Sequence, residues 1–349
     1  MLTVGPIERD VIDSWPIAKA GLPVRVVNCM RHIDAQSIGQ LRGKSEAELL
    51  SLRSLGRISL QHIRFFFQLC DQVERGTQVF QTLQEVLDIF LDRSEQFVLA
   101  ARYGLQANSL EATRQAMTLQ EIGNHLNRTR ERVRQVEDAA KERLASHMGT
   151  VCLAPFTALL AEFIDSHGGA LAADEFDALQ PEIWLAGLNP AAAAMLLGDL
   201  GHPHLAVYRG FFSTLPQQVL EGLDQAATAS LATRDAPVTV PSLLSDLGED
   251  LPSCGSADAS RVMAVVLDHA DGVAATIDSR YFAFARGIGP YLEELLAQLD
   301  RPAHYRAVTS AFNERVRPRS RKGAGFILEA LNACPHVVRA ERGFYDLQR

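Results

Sequence analysis

Residues 150–349 repeat themselves: a unit of about 70 residues occurs three times, each copy closing on an aromatic stretch beside an arginine. The closing stretches are Tyr208-Arg-Gly-Phe-Phe212, Arg280-Tyr-Phe-Ala-Phe284 and Arg342-Gly-Phe-Tyr345. Ahead of each, the pattern predicts a helix, a short linker and two more helices, and the closing stretch predicts a two-stranded hairpin. The copies divide as 150–216, 217–289 and 290–349. A chain of 349 residues is too long for one ordinary core, so residues 1–149 must form modules of their own.

Residues 20–76 predict a helical module, and residues 1–19 read as a segment ahead of it. Pro23 suits a first helical turn and opens Pro23-Val-Arg-Val-Val-Asn-Cys-Met-Arg-His32. Ser45-Glu-Ala-Glu48 has capping-box spacing and starts a helix with Leu49, Leu50 and Leu52. After a break at Ser54-Leu55-Gly56, Ser59 is expected to cap a third helix containing Ile63, Phe66 and Phe67.

Residues 77–149 carry a second box, Thr118-Leu-Gln-Glu121, ahead of Ile122 and Leu126. Asn127-Arg128 makes a turn, and Thr129 caps a longer helix from Arg130 to Leu144. Val133, Val136, Ala140 and Leu144 form its buried stripe, and Arg130, Glu131, Arg134, Gln135 and Asp138 the opposite one. Arg pairs with guanine, Gln with adenine and Glu with the cytosine amino group, so the outer stripe has base-reading chemistry as well as charge. A merely solvated helix would more often alternate Glu and Lys at i, i+4.

The net charge of −8 is unevenly spread. Lys and Arg against Asp and Glu number 19 and 18 in residues 1–150, 5 and 20 in 151–300, and 10 and 4 in 301–349. Phosphate neutralisation is short-ranged and screened, so the two ends are the expected DNA-facing parts. The acidic residues 150–300 are expected to offer a surface to a partner protein. The five cysteines lie at least 41 residues apart and read as reduced thiols. There is no Gly-x-x-x-x-Gly-Lys loop and no His-Glu-x-x-His; Gly168-Gly169 and Gly287-Ile-Gly289 read as turns, and His202-Pro-His204 as a loop. No catalytic residue, metal or cofactor is therefore expected. No stretch is expected to supply the roughly 18 uncharged apolar residues of a membrane span, and no secretory signal is read at the start. The expected location is cytoplasmic.

Leu22-Pro-Val-Arg-Val-Val-Asn-Cys29, Ile38-Gly-Gln-Leu41, Ser45-Glu-Ala-Glu-Leu-Leu50 and Leu55-Gly-Arg-Ile-Ser-Leu60 resemble the C-terminal domain of the bacterial RNA polymerase alpha subunit. The resemblance implies that Arg25 enters an A/T-rich minor groove, where negative potential is concentrated, with Asn28 and Cys29 beside it. It also implies that the hairpin at Gly56 and Ser59 meets phosphate, as amides at a helix start do. Ile58 stands where that family usually has a lysine.

Ser94-Glu-Gln-Phe-Val-Leu-Ala-Ala-Arg-Tyr-Gly-Leu105, Thr118-Leu-Gln-Glu-Ile-Gly123 and Thr129-Arg-Glu-Arg-Val-Arg-Gln-Val-Glu137 resemble region 4 of the housekeeping sigma factors. That resemblance implies base contacts from Arg130, Glu131, Arg134 and Gln135, and phosphate or partner contacts from Arg128, Thr129 and Arg132. A complete sigma factor also carries an aromatic-rich region 2. The alpha-like module occupies that part of this chain, whose two tryptophans are Trp15 and Trp184.

The helix, linker, helix, helix, hairpin order of the repeats is that of a winged helix. The last copy includes Pro302-Ala-His-Tyr-Arg-Ala-Val308, Arg315-Val-Arg-Pro-Arg-Ser-Arg-Lys322 and Gly325-Phe-Ile-Leu-Glu-Ala-Leu331. It is similar to the HARE-type winged helix of the polymerase delta subunit and of proteins linked to restriction systems. Its basic run favours phosphate contact by Arg317, Arg319, Arg321 and Lys322 at the start of a recognition helix. The first two copies lack such a helix and are expected to be interaction or spacer domains.

The expected fold is mainly α and multidomain: a helix-hairpin-helix module, a helix-turn-helix module, and tandem winged helices with short β-hairpin wings. The expected function is that of a sequence-specific transcription regulator or sigma-like factor, with double-stranded DNA and RNA polymerase as partners and no membrane. Two other readings stand beside it. One is a polymerase-binding adaptor with little sequence reading, and the other a DNA-sensing subunit of a phage or mobile-element defence system.

Overall fold

The computed structural model describes residues 2–33, 35–53, 55–105, 116–178, 185, 187–202, 204–248, 251–255, 257–299 and 302–348. Ser54, Trp184 and Pro203 lie outside them. The chain divides into two compact units, Met1–Phe163 with Ala173–Ala206, and Ile164–Ala172 with Val207–Arg349.

The first unit opens with β1 (Leu2–Thr3), α1 (Arg9–Ser14), α2 (Val24–Arg31), α3 (Ile38–Arg42), α4 (Glu46–Ser51) and α5 (Arg57–Glu74), followed by β2 (Val79–Phe80) antiparallel to β1. α3 and α4 both start on capping boxes, Ser37 with Gln40 and Ser45 with Glu48, which satisfy amides that a helix start leaves unpaired. α5 starts on Gly56 instead, with no side chain to cap it. Because Arg57 already opens the helix, Ser59 lies buried in its first turn and does not cap it as expected. Residues ahead of 20 pack into the same layer: Ile12, Trp15 and Ile17 are buried, and α1 lies on α3. Gly39 permits that approach, since a Cβ there would stand 3.0 Å from the Asp13 Cβ. Arg42 then joins Asp13, Asp71 and Glu74 at 2.9, 3.3 and 2.6 Å.

Next come α6 (Leu83–Phe90), α7 (Arg93–Tyr103), α8 (Leu119–Leu126) and α9 (Arg130–Leu144). Thr82, Asp92, Thr118 and Thr129 accept first-turn amides at their starts. Val98, Ala101, Ile122 and Val133 form the fully buried core of this group. α8 ends on Asn127 in the left-handed region, φ +52°. Gly123 lets the turn close, because a Cβ there would lie 2.7 Å from the Arg128 carbonyl oxygen.

α10 (His147–Ser166) is 20 residues long and, by length and composition alone, apolar enough to cross a membrane, although it carries Glu162 and Asp165. Half of its apolar window is buried, with Cys152, Leu153 and Phe156 fully enclosed, as in a core helix of a folded domain. α11 (Ala173–Ala178) and α12 (Pro190–Asp199) complete the unit. α12 lies on α7, and its Ala193, Ala194, Leu196 and Leu197 are buried.

The second unit holds three small antiparallel sheets with one recurring order. β3 (Ala170–Ala172), β4 (Ala206–Tyr208) and β5 (Phe211–Ser213) lie as β3-β5-β4. α13 (Gln217–Ala232), β6 (Val238–Thr239), α14 (Val240–Leu247), α15 (Ala259–His269), β7 (Val273–Ala275) and β8 (Arg280–Ala283) give β6-β8-β7. α16 (Ile288–Gln298), β9 (Ala303–His304), α17 (Tyr305–Arg315), α18 (Ala324–Ala333), β10 (Val337–Glu341) and β11 (Phe344–Leu347) give β9-β11-β10. Each time the last strand of the hairpin sits in the middle, paired with its predecessor and with the isolated strand. Gly168 and Gly169 have φ +88° and +87°, values that favour glycine, whereas Gly289 lies inside α16, so the turn expected there is a helix start. One core runs from Ala274 and Phe282 through Tyr291 and Phe312 to Tyr345, binding the last two repeats together.

Candidate nucleic-acid interface

α8, the Asn127 turn and α9 present the stripe expected to read bases. Arg130, Glu131, Arg134, Gln135 and Asp138 are all exposed. They bind each other: Arg134 donates to Glu131 at 2.8 and 2.9 Å and to Asp138 at 2.6 Å, and Gln135 donates to Glu131 at 3.4 Å. The Arg134 hydrogen bond holds the Glu131 carboxyl below the usual carboxylate range and strengthens the proton affinity of Arg134. Exposed pairs of this kind exchange readily, so the network preorients the side chains without locking them. Arg132 donates to Gln135 at 3.2 Å, Thr129 caps the helix, and Arg128 reaches back to the Ser94 hydroxyl at 3.2 Å.

The other side of α9 is anchored by charges that the sequence reading missed. Glu137 is buried, 2.9 Å from Lys141 and 3.7 Å from Arg102. The Lys141 ammonium stands 5.2 Å from the Tyr103 ring centroid, and the Tyr103 hydroxyl donates to Asp199 at 2.6 Å. Near the end of the helix Arg143 meets the buried Glu95 at 2.9 Å. Burial pushes the Glu95 carboxyl up, against the opposing pull of the Asp92 amide and Arg143. The spacing Asp92-x-x-Glu95 is a capping box and could have disclosed that carboxylate.

On α2, Arg25 and Asn28 are exposed one turn apart, and Asn28 accepts from Arg31 at 3.5 Å. Cys29 and Ser59 are buried, so their side chains do not reach the surface. The α5 start offers its backbone instead. The first intrahelical bond there runs from Leu60 N to Gly56 O, so the amides of Arg57, Ile58 and Ser59 precede the ladder. Nothing stands within 4 Å of a Cβ built on Gly56, and Ile58 is 71% exposed beside it. A cleft of about 610 Å³ between α2 and the α9 to α10 corner is lined by Asn28, Arg31, Glu142 and Arg143 among others.

The basic run Arg315 to Lys322 is a strap leading into α18. Val316 bridges to Thr276, Arg317 N donates to Ala275 O at 2.8 Å, and Ala275 N donates to the Ser320 hydroxyl at 2.9 Å. The strap thus extends the edge of the preceding repeat's sheet. Arg317 pairs with Asp268 and stands 6.0 Å from the Tyr281 ring centroid. Lys322 lies over Phe284 at 4.1 Å and Phe326 at 5.4 Å. Arg319 and Arg321 are exposed, with Arg321 donating to Asn313 O at 3.2 Å. Among the described residues no group of His, Cys, Asp and Glu could hold a metal ion. His202 is buried, and burial lowers its pKa.

The structure thus defines two short helices joined at the Asn127 turn, with an exposed charged stripe on the second helix, which is pinned from behind. The particular likenesses are two. Residues 8–68 match the family model of the C-terminal domain of the bacterial RNA polymerase alpha subunit, and residues 91–145 match that of sigma-70 region 4. The DNA-directed RNA polymerase subunit alpha of Leuconostoc mesenteroides subsp. mesenteroides is 34% identical over 64 residues, 18% of this chain and 20% of that protein. The chain therefore spans about a fifth of the length of that relative. No solved structure matches. Both matched families are non-catalytic modules of the transcription apparatus, and the first match takes in α1.

Proposed function

We propose that this chain is a transcription regulator that binds one promoter-like site through two grooves. The outer stripe of α9 enters the major groove with Arg130, Glu131, Arg134 and Gln135 on base edges, and Arg128, Thr129 and Arg132 flank it on phosphate. Arg25 and Asn28 enter the adjoining A/T-rich minor groove, and the α5 start meets phosphate through its backbone, with Gly56 open and Cys29 and Ser59 supporting from within. The observation that carries this reading is the exposed, self-paired stripe on a helix whose opposite side is fixed by Glu137 and Arg143. Likeness to an alpha C-terminal domain and to region 4 supports DNA and RNA polymerase as partners.

The three repeats read as tandem winged helices, and the recurring sheet order supports this. Their domain limits are 150–216, 217–289 and 290–349. The first is a spacer, because its α12 is covered by α7. The last, with the HARE-like pattern, meets phosphate through Arg319 and Arg321 while Arg317 and Lys322 hold the strap. The acidic residues 150–300 face a protein partner.

Arg130→Ala with Arg134→Ala is expected to weaken binding to the selected site about ten- to hundredfold and to change binding to random DNA only a few-fold. Equal losses on both would mean that α9 does not read sequence. Arg25→Ala should remove protection of the A/T tract in a footprint while the major-groove element stays protected. An unchanged footprint would assign the first module to protein contact.

A further inference from the structure

We infer that the alpha-like and region 4-like modules form one rigid reader, so that the separation and helical phase of the two DNA elements are themselves recognised. This rests on the two-groove reading above and adds a spacing requirement to it.

The seam is built largely from segments that neither family match covers. The link between the modules is not a free tether. Val4 N donates to Gln78 O at 2.9 Å, β1 pairs with β2, and the β2 residue Phe80 packs on Phe156 of α10 with ring centroids 6.4 Å apart. The link is thereby held by the N-terminal strand on one side and the helix after α9 on the other. At the far end of α9 the chain turns sharply into α10. A Cβ on Gly149 would lie 2.3 Å from the Leu144 carbonyl oxygen, and the Ser146 hydroxyl donates to Arg143 O at 2.6 Å.

That corner docks directly on the entrance to α2. Met148 N donates to Ala20 O at 3.3 Å, and the Trp15 ring stacks on His147 with centroids 5.3 Å apart and planes 21° from parallel. Gly21 has φ +106°, and a Cβ there would stand 2.7 Å from the Ser146 hydroxyl. The backbone that leads into Arg25 is thus in contact with the start of α10, directly after the recognition helix. Interiors packed at this closeness deform little, so the two reading surfaces keep one relative pose.

Each inserted base pair moves one element by about 3.4 Å and turns it by roughly 35°. A rigid reader cannot follow, whereas a flexible tether of several residues can. Linking two sites gains about 10²- to 10⁴-fold over either alone, and a rigid body forfeits that gain when the geometry forbids joint contact.

The test is binding-site selection with the full chain, then fluorescence anisotropy on the recovered site with one, two, five or ten base pairs added to or removed from its spacer. One base pair is expected to weaken binding about tenfold, and five to reduce it about hundredfold to the level of one element alone. Gly21→Ala with His147→Ala should flatten this dependence while leaving single-element binding intact. If that variant fails to fold, the unsubstituted chain alone decides. Affinity that changes less than about threefold across the series overturns the rigid seam and leaves the functional reading standing. Selection that recovers only one element overturns the two-groove reading itself.

Discussion

Arg317→Met keeps the side-chain stem and removes the guanidinium that pairs with Asp268. Within the pair the Arg317 side chain is 35% exposed and that of Asp268 20%. Stripping the partner from a fully buried charge costs about 3–5 kcal/mol. Solvent screening at this exposure reduces the expected loss to about 1–3 kcal/mol. In a unit of roughly 150 residues that lowers the melting temperature by about 2–12 °C. Calorimetry on the full chain reads this loss, and a salt series of DNA affinity is expected to keep its slope. Arg319→Ala with Arg321→Ala should do the opposite, leaving the melting temperature unchanged and flattening the salt slope by about one per lost contact. Adding Asp268→Asn to Arg317→Met should restore most of the stability, because no uncompensated charge then remains. An Arg317→Met chain that melts normally but shows a flatter salt slope would refute the strap and make Arg317 a phosphate ligand.

Glu95 has a carboxyl raised by burial, so the fold favours its protonated form, and its contribution is greatest below the unfolded value and declines as pH rises through the folded one. Urea unfolding of Glu95→Gln should therefore lack this decline, which in the unsubstituted chain sets in as pH rises above the ordinary glutamate value of about 4, and identical pH slopes would contradict the assignment. Asn127→Gly should melt near the unsubstituted chain, while Asn127→Val, forced to φ +52°, should lose about 1–2 kcal/mol. Burial pushes the thiols of Cys70 and Cys152 up to about 12, so a thiol reagent at pH 8 should label the half-exposed Cys254 first and those two only on unfolding.

Local hydrogen-bond chemistry was the most legible layer of the fold. Ser45, Thr118 and Thr129 cap the helices expected of them, because a side-chain oxygen and an amide three residues on need no distant partner. The same signal stands at Ser37-x-x-Gln40 and Asp92-x-x-Glu95, two helix starts that the sequence reading missed. Apolar stripes separated the outer face of α9 from Val133, Ala140 and Leu144, but Glu137 occupies the inner side as a buried ion. Its partner Arg102 is 35 residues away in sequence, and periodicity treats every carboxylate as solvated. The basic run 315–322 illustrates the same limit, since Asp268 lies 49 residues from Arg317 and comes near only when two repeats pack. Likewise Cys29 and Ser59 carry the alpha-like motif, yet whether a motif residue acts by side chain or by backbone depends on packing around it.

The two-groove reading is tested most directly by what the purified full chain selects from random double-stranded DNA in the absence of polymerase. It predicts a discrete two-part site, an A/T-rich tract beside an element read by α9, bound with an affinity that falls steeply as salt rises. Recovery of no motif, with binding of only about 10⁻⁴ to 10⁻⁶ M and with polymerase association that survives Arg130→Ala and Arg134→Ala, would contradict it and make the protein an adaptor.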